Sequence, residues 1–435
     1  MSESPAARAL PGVPHAGLAR AGAYVRTEAG IVSVALGAVA LHILDDNYLQ
    51  PQPGTSPGDH LLSGLVPVAI LVGVAVLYPH LRAGLRAVVA MTFGALAIGF
   101  GFPGAYFLQH GIASGADYTG LLSVVAGIVL IASGPVTLWR ARRTGGTRRR
   151  RYLRRALETV VGVAAGLFVV AYVIFPVAFS YGYTHVGRIG PPPEIGVPYE
   201  TVTVTTSDSL DLVARYVPSK NGAAIVIFPG ASAVKEARML VDNGYGVLLL
   251  DPRGQGKSEG DLVRWAGDRD LAAAAKYLQS RPDVDPERIG ALGSSVGGEI
   301  LLGAAAQTPA FKAVVSEGAG FPLGDVDLSG VEGFVARPAW AMMELAATVF
   351  SNHRPPPKIA DTIGEISPRA VFLIYADPGM GGETIRQPKY FAAAGEPKSM
   401  WLVPGAEHTG GVDVAPAEYE RRVAGFFDTA LPESR

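Results

Sequence analysis

A glycine-flanked serine carries the strongest chemical signal in this sequence. Ser295 lies in Gly293-Ser-Ser-Val-Gly-Gly298, between the short apolar run Ile289–Leu292 and a helical pattern at Val296–Ala306. On a sharp strand-to-helix turn a serine hydroxyl is exposed, flanking glycines let neighbouring elements approach, and the helix N-terminus favours developing negative charge. This context predicts a nucleophile for acyl transfer at Ser295.

A second stretch matches the same Gly-x-Ser-x-Gly pattern without its context. Gly256-Lys-Ser258-Glu-Gly260 follows Asp251-Pro-Arg-Gly254 with no intervening strand. A nucleophile of this kind requires a strand before the serine and a helix after it. We therefore expect Ser258 to be a turn residue.

A serine nucleophile needs a base, and the base needs a carboxylate that orients it. Six of the eight histidines precede position 197, which leaves His353 and His408. His408 follows the last predicted strand, Ser399–Val403, where a base would project over the serine. His353 is next to Arg354-Pro-Pro-Pro, a setting typical of a surface. We predict that His408 is the base.

Two carboxylates compete for the orienting role. The loop after the apolar run Ala370–Tyr375 reads Ala-Asp377-Pro-Gly-Met-Gly-Gly-Glu383. Asp377 lies close in register to the position expected for the acid after this strand, but the proline that follows restricts its backbone. Glu383 has a longer side chain and follows two flexible glycines. We favour Glu383, keep Asp377 as the alternative, and rank Glu317, at the end of the strand after the serine, third.

The elements that must position these residues are short apolar runs separated by helical patterns. Non-alternating apolar runs between helices indicate a parallel sheet covered on both faces. Two further runs, Glu200–Thr205 and Leu210–Val217, flank a hairpin signal at Ser207-Asp-Ser. The sequence therefore predicts an α/β domain with a mostly parallel sheet. The six apolar runs are Ala223–Phe228, Gly246–Leu250, Ile289–Leu292, Phe311–Val315, Ala370–Tyr375 and Ser399–Val403.

Four segments together resemble the α/β-hydrolase superfamily, in particular its esterase, serine aminopeptidase and dienelactone-hydrolase-like members. The resemblance covers about Val197–Leu431. It implies a serine hydrolase that needs no metal or organic cofactor, with an oxyanion hole formed by the amides of Val296 and Ala231. Gly230 would shape the approach to Ala231, in a loop where the family usually has His-Gly. The segments are Phe228-Pro-Gly-Ala-Ser, Gly244–Ser258, the Ser295 turn and Gly405-Ala-Glu-His408.

The N-terminal half has the composition of a membrane region. A span needs about 20 mostly apolar residues, and from position 29 to 139 only six residues are charged. We predict an all-α transmembrane bundle of about five helices over 29–183. A tail (1–28) precedes it, and a linker (184–198) and the hydrolase domain (199–435, with a lid-like insertion at about 318–367) follow. The predicted spans are Ala29–Leu44, Leu61–Tyr78, Ala87–Leu108, Gly120–Trp139 and Thr159–Phe179.

The distribution of arginine predicts the orientation. Arginines precede the first span, separate the second from the third, and are dense at 140–155, whereas the loops 45–60 and 110–118 contain no Lys or Arg. Because cytoplasmic loops are enriched in Lys and Arg, we expect a multi-pass protein of the cell membrane with a cytoplasmic N-terminus and an extracytoplasmic hydrolase domain. The 140–155 loop would contact anionic lipid headgroups and not nucleic acid.

These observations predict a membrane-anchored serine hydrolase that cleaves an ester, thioester or amide through an acyl-enzyme on Ser295. The substrate would be a small-molecule or lipid-like acyl compound, and the partners would be membrane lipids. The absence of cysteine excludes disulfides and thiolate metal sites. Two alternatives are an acyltransferase with the same catalytic residues and a catalytically silent membrane sensor or scaffold.

Overall fold

A computed structural model describes residues 23–51, 54–109, 116–141, 147–185, 194–229, 233–320, 330–377, 379 and 382–433. The chain divides into two compact units. The first contains the described residues up to Asp45 together with Leu65–Val170, and the second contains Asp46–Gly64 and Ala171 onward. Each unit is described separately, and the domain boundaries expected from the sequence remain predictions.

The described part of the N-terminal half contains five helices that are long and apolar enough to cross a membrane. Six α-helical segments make up these five stretches: α1 (Glu28–Leu44), α2 (Leu61–Leu77), α3 (Ala83–Gln109), α4 (Ala116–Arg140), α5 (Arg148–Val169) and α6 (Phe175–His185). Five-residue π-helical segments follow α1 and α5, so that α5 and α6 belong to one apolar stretch, Arg148–Thr184. The number of apolar helices agrees with the number predicted from the sequence.

Glycines bring α3 and α4 into close contact within the first unit. A Cβ atom at Gly94 would lie 2.7 Å from the carbonyl oxygen of Gly127, and one at Gly127 would lie 2.6 Å from that of Gly94. A Cβ atom at Gly101 would likewise overlap the carbonyl of Gly120. Small residues let helix backbones approach in this way, which is the usual means of packing apolar helices in lipid.

The described residues of the second unit contain eight strands in one sheet, in the order β1-β2-β4-β3-β5-β6-β7-β8. The sheet is parallel from β4 to β8, whereas β2 pairs antiparallel with both β1 and β4. This confirms the predicted mostly parallel sheet. The strands are β1 Glu200–Thr205, β2 Asp211–Val217, β3 Ala224–Phe228, β4 Gly246–Leu250, β5 Ile289–Ser294, β6 Ala313–Glu317, β7 Ala370–Asp377 and β8 Lys398–Pro404.

Helices cover both faces of this sheet, because the central strands are apolar on both sides. On one face Leu271, Leu301 and Tyr390 pack into the core, and on the other face Leu240 and Phe427 do so. The insertion predicted after β6 contains one long helix, α10. The helices are α7 Val234–Asp242, α8 Asp268–Gln279, α9 Val296–Ala305, α10 Gly330–Ser351, α11 Ile359–Thr362, α12 Glu383–Ala393, α13 Gly411–Val414 and α14 Pro416–Ala430.

The Glu236 carboxylate is buried with one oxygen unpaired. Glu236, in the first turn of α7, is 3% exposed, and its Oε2 atom has no hydrogen-bond partner in the part of the chain described. Burial, and then the nearby Glu317, raise the pKa of Glu236 to about 7. Because the folded pKa lies above the unfolded value of 4.5, the associated stability is complete below pH 4.5 and is lost as the pH rises through about 7.

The substitution Glu236→Gln therefore should raise the stability of the second unit at pH 8 and leave it nearly unchanged at pH 4.5, since the amide carries no charge to desolvate. The expected gain at pH 8 is on the order of 2–3 kcal/mol. Thermal unfolding of the full chain in detergent, followed by tryptophan fluorescence at both pH values, measures it. Glu365→Gln at an exposed position is the control. Equal shifts for the two variants at pH 8 would disprove this account of Glu236.

Candidate active site

Ser295 occupies the turn between β5 and α9 in a strained conformation. Its backbone has φ 54° and ψ −124°, a region that costs non-glycine residues roughly 1–3 kcal/mol. The flanking glycines permit the turn: a Cβ atom at Gly293 would lie 2.6 Å from the carbonyl oxygen of Gly297, and one at Gly297 would overlap the carbonyl of Phe228. The hydroxyl is thereby presented at the carboxyl edge of the sheet.

His408 reaches Ser295 from the loop after β8. Its Nε2 atom lies 2.8 Å from the Ser295 Oγ atom. The loop begins at Gly405, which has φ +74° and whose N–H donates to the carbonyl oxygen of Asp377 at 3.0 Å. The end of β7 thus holds the base of the loop, and the imidazole projects over the serine as predicted from the position of His408 after the last strand.

Glu383 completes a hydrogen-bonded relay. Its side chain is 1% exposed, and its Oε1 atom lies 3.0 Å from the His408 Nδ1 atom. An ionised carboxylate can only accept, so Nδ1 carries the proton and Nε2 is left to accept from the serine hydroxyl. The Ala376 N–H donates to the second Glu383 oxygen at 3.3 Å. This arrangement gives the serine the base that nucleophilic attack requires.

The structure brings Glu383, and not the alternative Asp377, to the imidazole. Asp377 is the last residue of β7, and its side chain is exposed. Glu383 is the first residue of α12 and reaches back over Gly379, where φ is +60° and a Cβ atom would lie 2.5 Å from the Glu383 Oε1 atom. A side chain at position 379 would therefore collide with the Glu383 carboxylate.

Glu317, ranked third as the acid, connects both sides of the site. Its backbone oxygen accepts from the Ser295 N–H at 2.8 Å. Its carboxylate accepts from the Gly411 N–H at 3.1 Å and from the Tyr419 hydroxyl at 2.6 Å. Burial is the main cause that raises the pKa of Glu317. The residue thus joins the serine turn to the segment that follows His408.

Gly318, the residue after Glu317, lies against the imidazole of His408. Gly318 has φ +69°, and a Cβ atom there would lie 3.0 Å from the His408 Cε1 atom. The sequence did not predict that Glu317 binds backbone on both sides of the site or that Gly318 lies against the imidazole. The available signal was an acidic residue that ends a fully buried strand and is followed directly by glycine, beside the strand that carries the nucleophile.

The predicted oxyanion donors are only partly within the described residues. Val296 is the first residue of α9, and the first amides of a helix have no intrahelical acceptor. The first backbone bond of this turn runs from the Glu299 N–H to the Ser295 carbonyl oxygen at 3.1 Å. Gly230 and Ala231 lie outside the described residues.

Ser258 and His353 lie outside the relay. The Ser258 hydroxyl donates to the Asp251 carbonyl at 2.8 Å and accepts from the Val213 N–H at 2.9 Å, so its role is structural, as expected of a turn residue. The His353 Nδ1 atom lies 2.7 Å from the Ser351 carbonyl oxygen. Among the residues that the structure covers, no group of three or more His, Asp or Glu side chains is arranged to hold a metal ion.

A cleft of about 640 Å³ opens beside His408. Its wall is formed by the start of α7 and by the loop and short helix after β8. Lys235 and Asp413 form an ion pair within this wall, and Glu407 adds a further charge. The base therefore borders an open cleft that has charged residues in its wall.

Comparisons with known proteins agree with this geometry. Residues 196–371 match the X-Pro dipeptidyl-peptidase (S15) family. A thiohydrolase of Aspergillus aculeatus is 37% identical over 130 residues, 27% of this chain, and the match spans 41% of that relative's length. The uncharacterized protein YfhR of Escherichia coli O157:H7 is 26% identical, over 56% of this chain and 85% of the relative.

Among solved structures, an esterase of Pyrococcus furiosus superposes with a TM-score of 0.45 and 20% identity, over 57% of this chain and 98% of the esterase. The family match extends from the linker to the start of β7 and includes the serine turn. The sheet order and the relay around Ser295 lie in the same unit. Over residues 196–371 the chain is therefore similar to a serine-hydrolase family, and the same unit carries the Ser295 relay at the edge of a mostly parallel sheet.

Proposed function

We propose that this protein is a membrane-anchored hydrolase that cleaves an ester, thioester or amide through an acyl-enzyme on Ser295. The observation that carries the proposal is the continuous relay from Ser295 Oγ through His408 to Glu383, with distances of 2.8 and 3.0 Å. A catalytically silent domain would have no need of a buried carboxylate that fixes the imidazole tautomer. The acyltransferase alternative uses the same groups with an acceptor other than water.

The mechanism follows from the positions of the protons. As the Ser295 oxygen attacks the substrate carbonyl, its proton moves to His408 Nε2, and Glu383 stabilises the imidazolium that forms. The Val296 amide, with Ala231 as the second predicted donor, would hold the oxyanion. The imidazolium then protonates the leaving group, and His408 next removes a proton from the water that hydrolyses the acyl-enzyme.

Glu317 would act as a positioning residue. Among the described contacts it makes no hydrogen bond to the hydroxyl or to the imidazole, but it binds the backbone on both sides of them. Catalysis depends strongly on the accurate placement of such groups.

Membrane anchoring and orientation are supported by the loop that follows the first apolar helix. The Asp59 carbonyl oxygen accepts from Asn352 Nδ2 at 3.3 Å, and His60 Nδ1 lies 3.6 Å from Asp261 Oδ2. A loop that contacts the hydrolase domain lies on the same side of the membrane as that domain. Since this loop contains no Lys or Arg, the positive-inside rule favours the extracytoplasmic side for both.

The first prediction separates the two candidate acids. Ser295→Ala should lower kcat/KM for a short-chain ester by at least about 10³-fold, and Glu383→Gln by on the order of 10²–10⁴-fold, because each removes part of one relay. Asp377→Asn is the matched control and should stay within about twofold. Steady-state assays of the full chain in detergent measure these ratios. Activity of Ser295→Ala equal to that of the unsubstituted protein would refute the proposal.

The second prediction concerns Glu317. Glu317→Gln should lower kcat by roughly tenfold with little change in KM, because its amide group opposes one of the two donors that the carboxylate satisfies. Tyr419→Phe removes one of those donors but keeps the carboxylate, and its kcat should stay within about twofold. Steady-state assays of the full chain in detergent measure both constants. A kcat of Glu317→Gln equal to that of the unsubstituted protein would contradict the positioning role.

A further inference from the structure

The helix α10 runs beside the last turns of the fifth apolar helix. The Tyr172 hydroxyl donates to the Val335 carbonyl at 3.1 Å, and the Ser180 hydroxyl donates to the Met343 carbonyl at 2.8 Å. Because both pairs have the same separation in sequence, the two helices run in the same direction. The start of α10 therefore lies beside Tyr172, and its end lies near Tyr181, whose ring meets that of Phe350 edge-on at 5.4 Å.

The two ends of α10 have different surroundings. Near its C-terminal end, Met343 and Ala347 are buried in an apolar cluster with Val263 and Trp265 of the hydrolase domain. At its start the apolar side chains are open: Val331 is 81% exposed and Phe334 is 74% exposed. Adjacent large apolar side chains at such exposure mark an interaction surface and not an ordinary solvated face.

The neighbouring helix indicates what covers this surface. The apolar stretch Arg148–Thr184 has 37 residues, roughly 55 Å of helix, whereas a hydrocarbon core is about 30 Å thick. Tyr172 precedes Thr184 by about three turns or roughly 18 Å, so the part of the stretch after Tyr172 extends beyond a core that begins near the arginines at its start. The start of α10 lies beside Tyr172 and therefore near the edge of the core.

The charged residues of α10 limit how deeply this helix can enter the lipid. Glu332 and Arg337 are exposed in the same turns as Phe334, and a charge in the hydrocarbon centre is costly. Long charged side chains can reach the headgroups while their neighbours stay in the acyl region. The pattern fits an interfacial helix whose apolar residues enter the lipid by about 5–10 Å.

This helix is connected directly to the candidate active site. The chain leaves β6 through Gly318, which contacts His408, and the Gly320 N–H donates to Glu299 Oε1, in the first turn of α9, at 3.0 Å. Nine residues, 321–329, separate Gly320 from Gly330, where α10 begins. The serine site and the start of α10 are therefore close in the sequence.

We propose that α10 inserts Val331, Phe334 and Val335 into the lipid leaflet on the hydrolase side, and that the substrate is an amphiphile whose acyl chain resides in that leaflet. The inference rests on the proposed function and names the substrate class of the same site. The bond that is cleaved is the ester, thioester or amide of this acyl chain; Ser295 Oγ takes the acyl group, and water then releases it as a carboxylic acid.

The position of α10 can be measured directly because the chain contains no cysteine. Single cysteines at Phe334, Leu345 and Leu402 would carry a fluorescent label in full-length protein in phosphatidylcholine–phosphatidylglycerol nanodiscs. Leu402, 38% exposed in β8, is the control outside the lipid. Brominated lipid should quench the label at Phe334 most and at Leu402 least, and iodide should show the reverse order. Equal iodide quenching at Phe334 and Leu402 would overturn the insertion.

The substrate class is tested by Phe334→Asp, with Phe334→Leu as the apolar control. Phe334→Asp should lose roughly tenfold in turnover of a long-chain ester embedded in vesicles, while turnover of a soluble short-chain ester stays within about twofold. Equal effects on the two esters would overturn the inference and leave the proposed hydrolase intact. No turnover of either ester by the unsubstituted protein would instead overturn the proposed function, and the quenching order would still decide the position of α10.

Discussion

The hydrogen bond between His408 Nε2 and Ser295 Oγ joins residues 113 positions apart, and it exists because parallel strands end at one edge of a sheet. The strand β5 ends at Ser294, directly before the nucleophile, and β8 ends just before the loop that carries the base. The ends of β6 and β7 lie between them and provide Glu317 and the backbone of Asp377. The sheet therefore fixes the relation of all the groups, and each loop needs only a few residues to present its own side chain.

Two buried carboxylates, Glu383 and Glu317, position the groups around the His408 imidazole. Glu383 contacts the ring and sets its tautomer, whereas Glu317 binds the backbone that carries the serine and the segment after the histidine. Burial raises the pKa of Glu317. Hydrogen bonds from the Gly411 N–H and the Tyr419 hydroxyl oppose this for Glu317. The strained serine backbone is held by the same contacts, so local strain and local charge are stabilised together by the surrounding sheet.

Much of this site could be predicted from the sequence because its signals are local. The apolar runs predicted each strand to within about two residues at either end, and the glycines around Ser295 follow from the close approach of β3 and α9. The sequence favoured Glu383 over Asp377 but could not settle the choice, because the reach of each side chain depends on the backbone conformation of the loop that carries it. The role of Glu317 was missed because an acidic residue before a glycine at the end of a strand does not indicate which backbone groups it will bind.

The proposed relation of the hydrolase domain to the membrane depends on exposed apolar surface and not on the sheet. Val331 and Phe334 at the start of α10 are exposed beside the fifth apolar helix, and lipid would cover them. The loop contacts at Asp59 and His60 support the proposed extracytoplasmic side. Under this proposal, anchoring and substrate access would both depend on the contact between α10 and the fifth apolar helix.

The central claim is that the hydroxyl of Ser295 is made nucleophilic by His408. Peptide mapping by mass spectrometry after reaction with a fluorophosphonate tests it most directly. The account predicts a single modified peptide with the label on Ser295, and loss of that label in His408→Ala. Labelling at Ser294 or Ser258 instead, or equal labelling of Ser295 without His408, would contradict it.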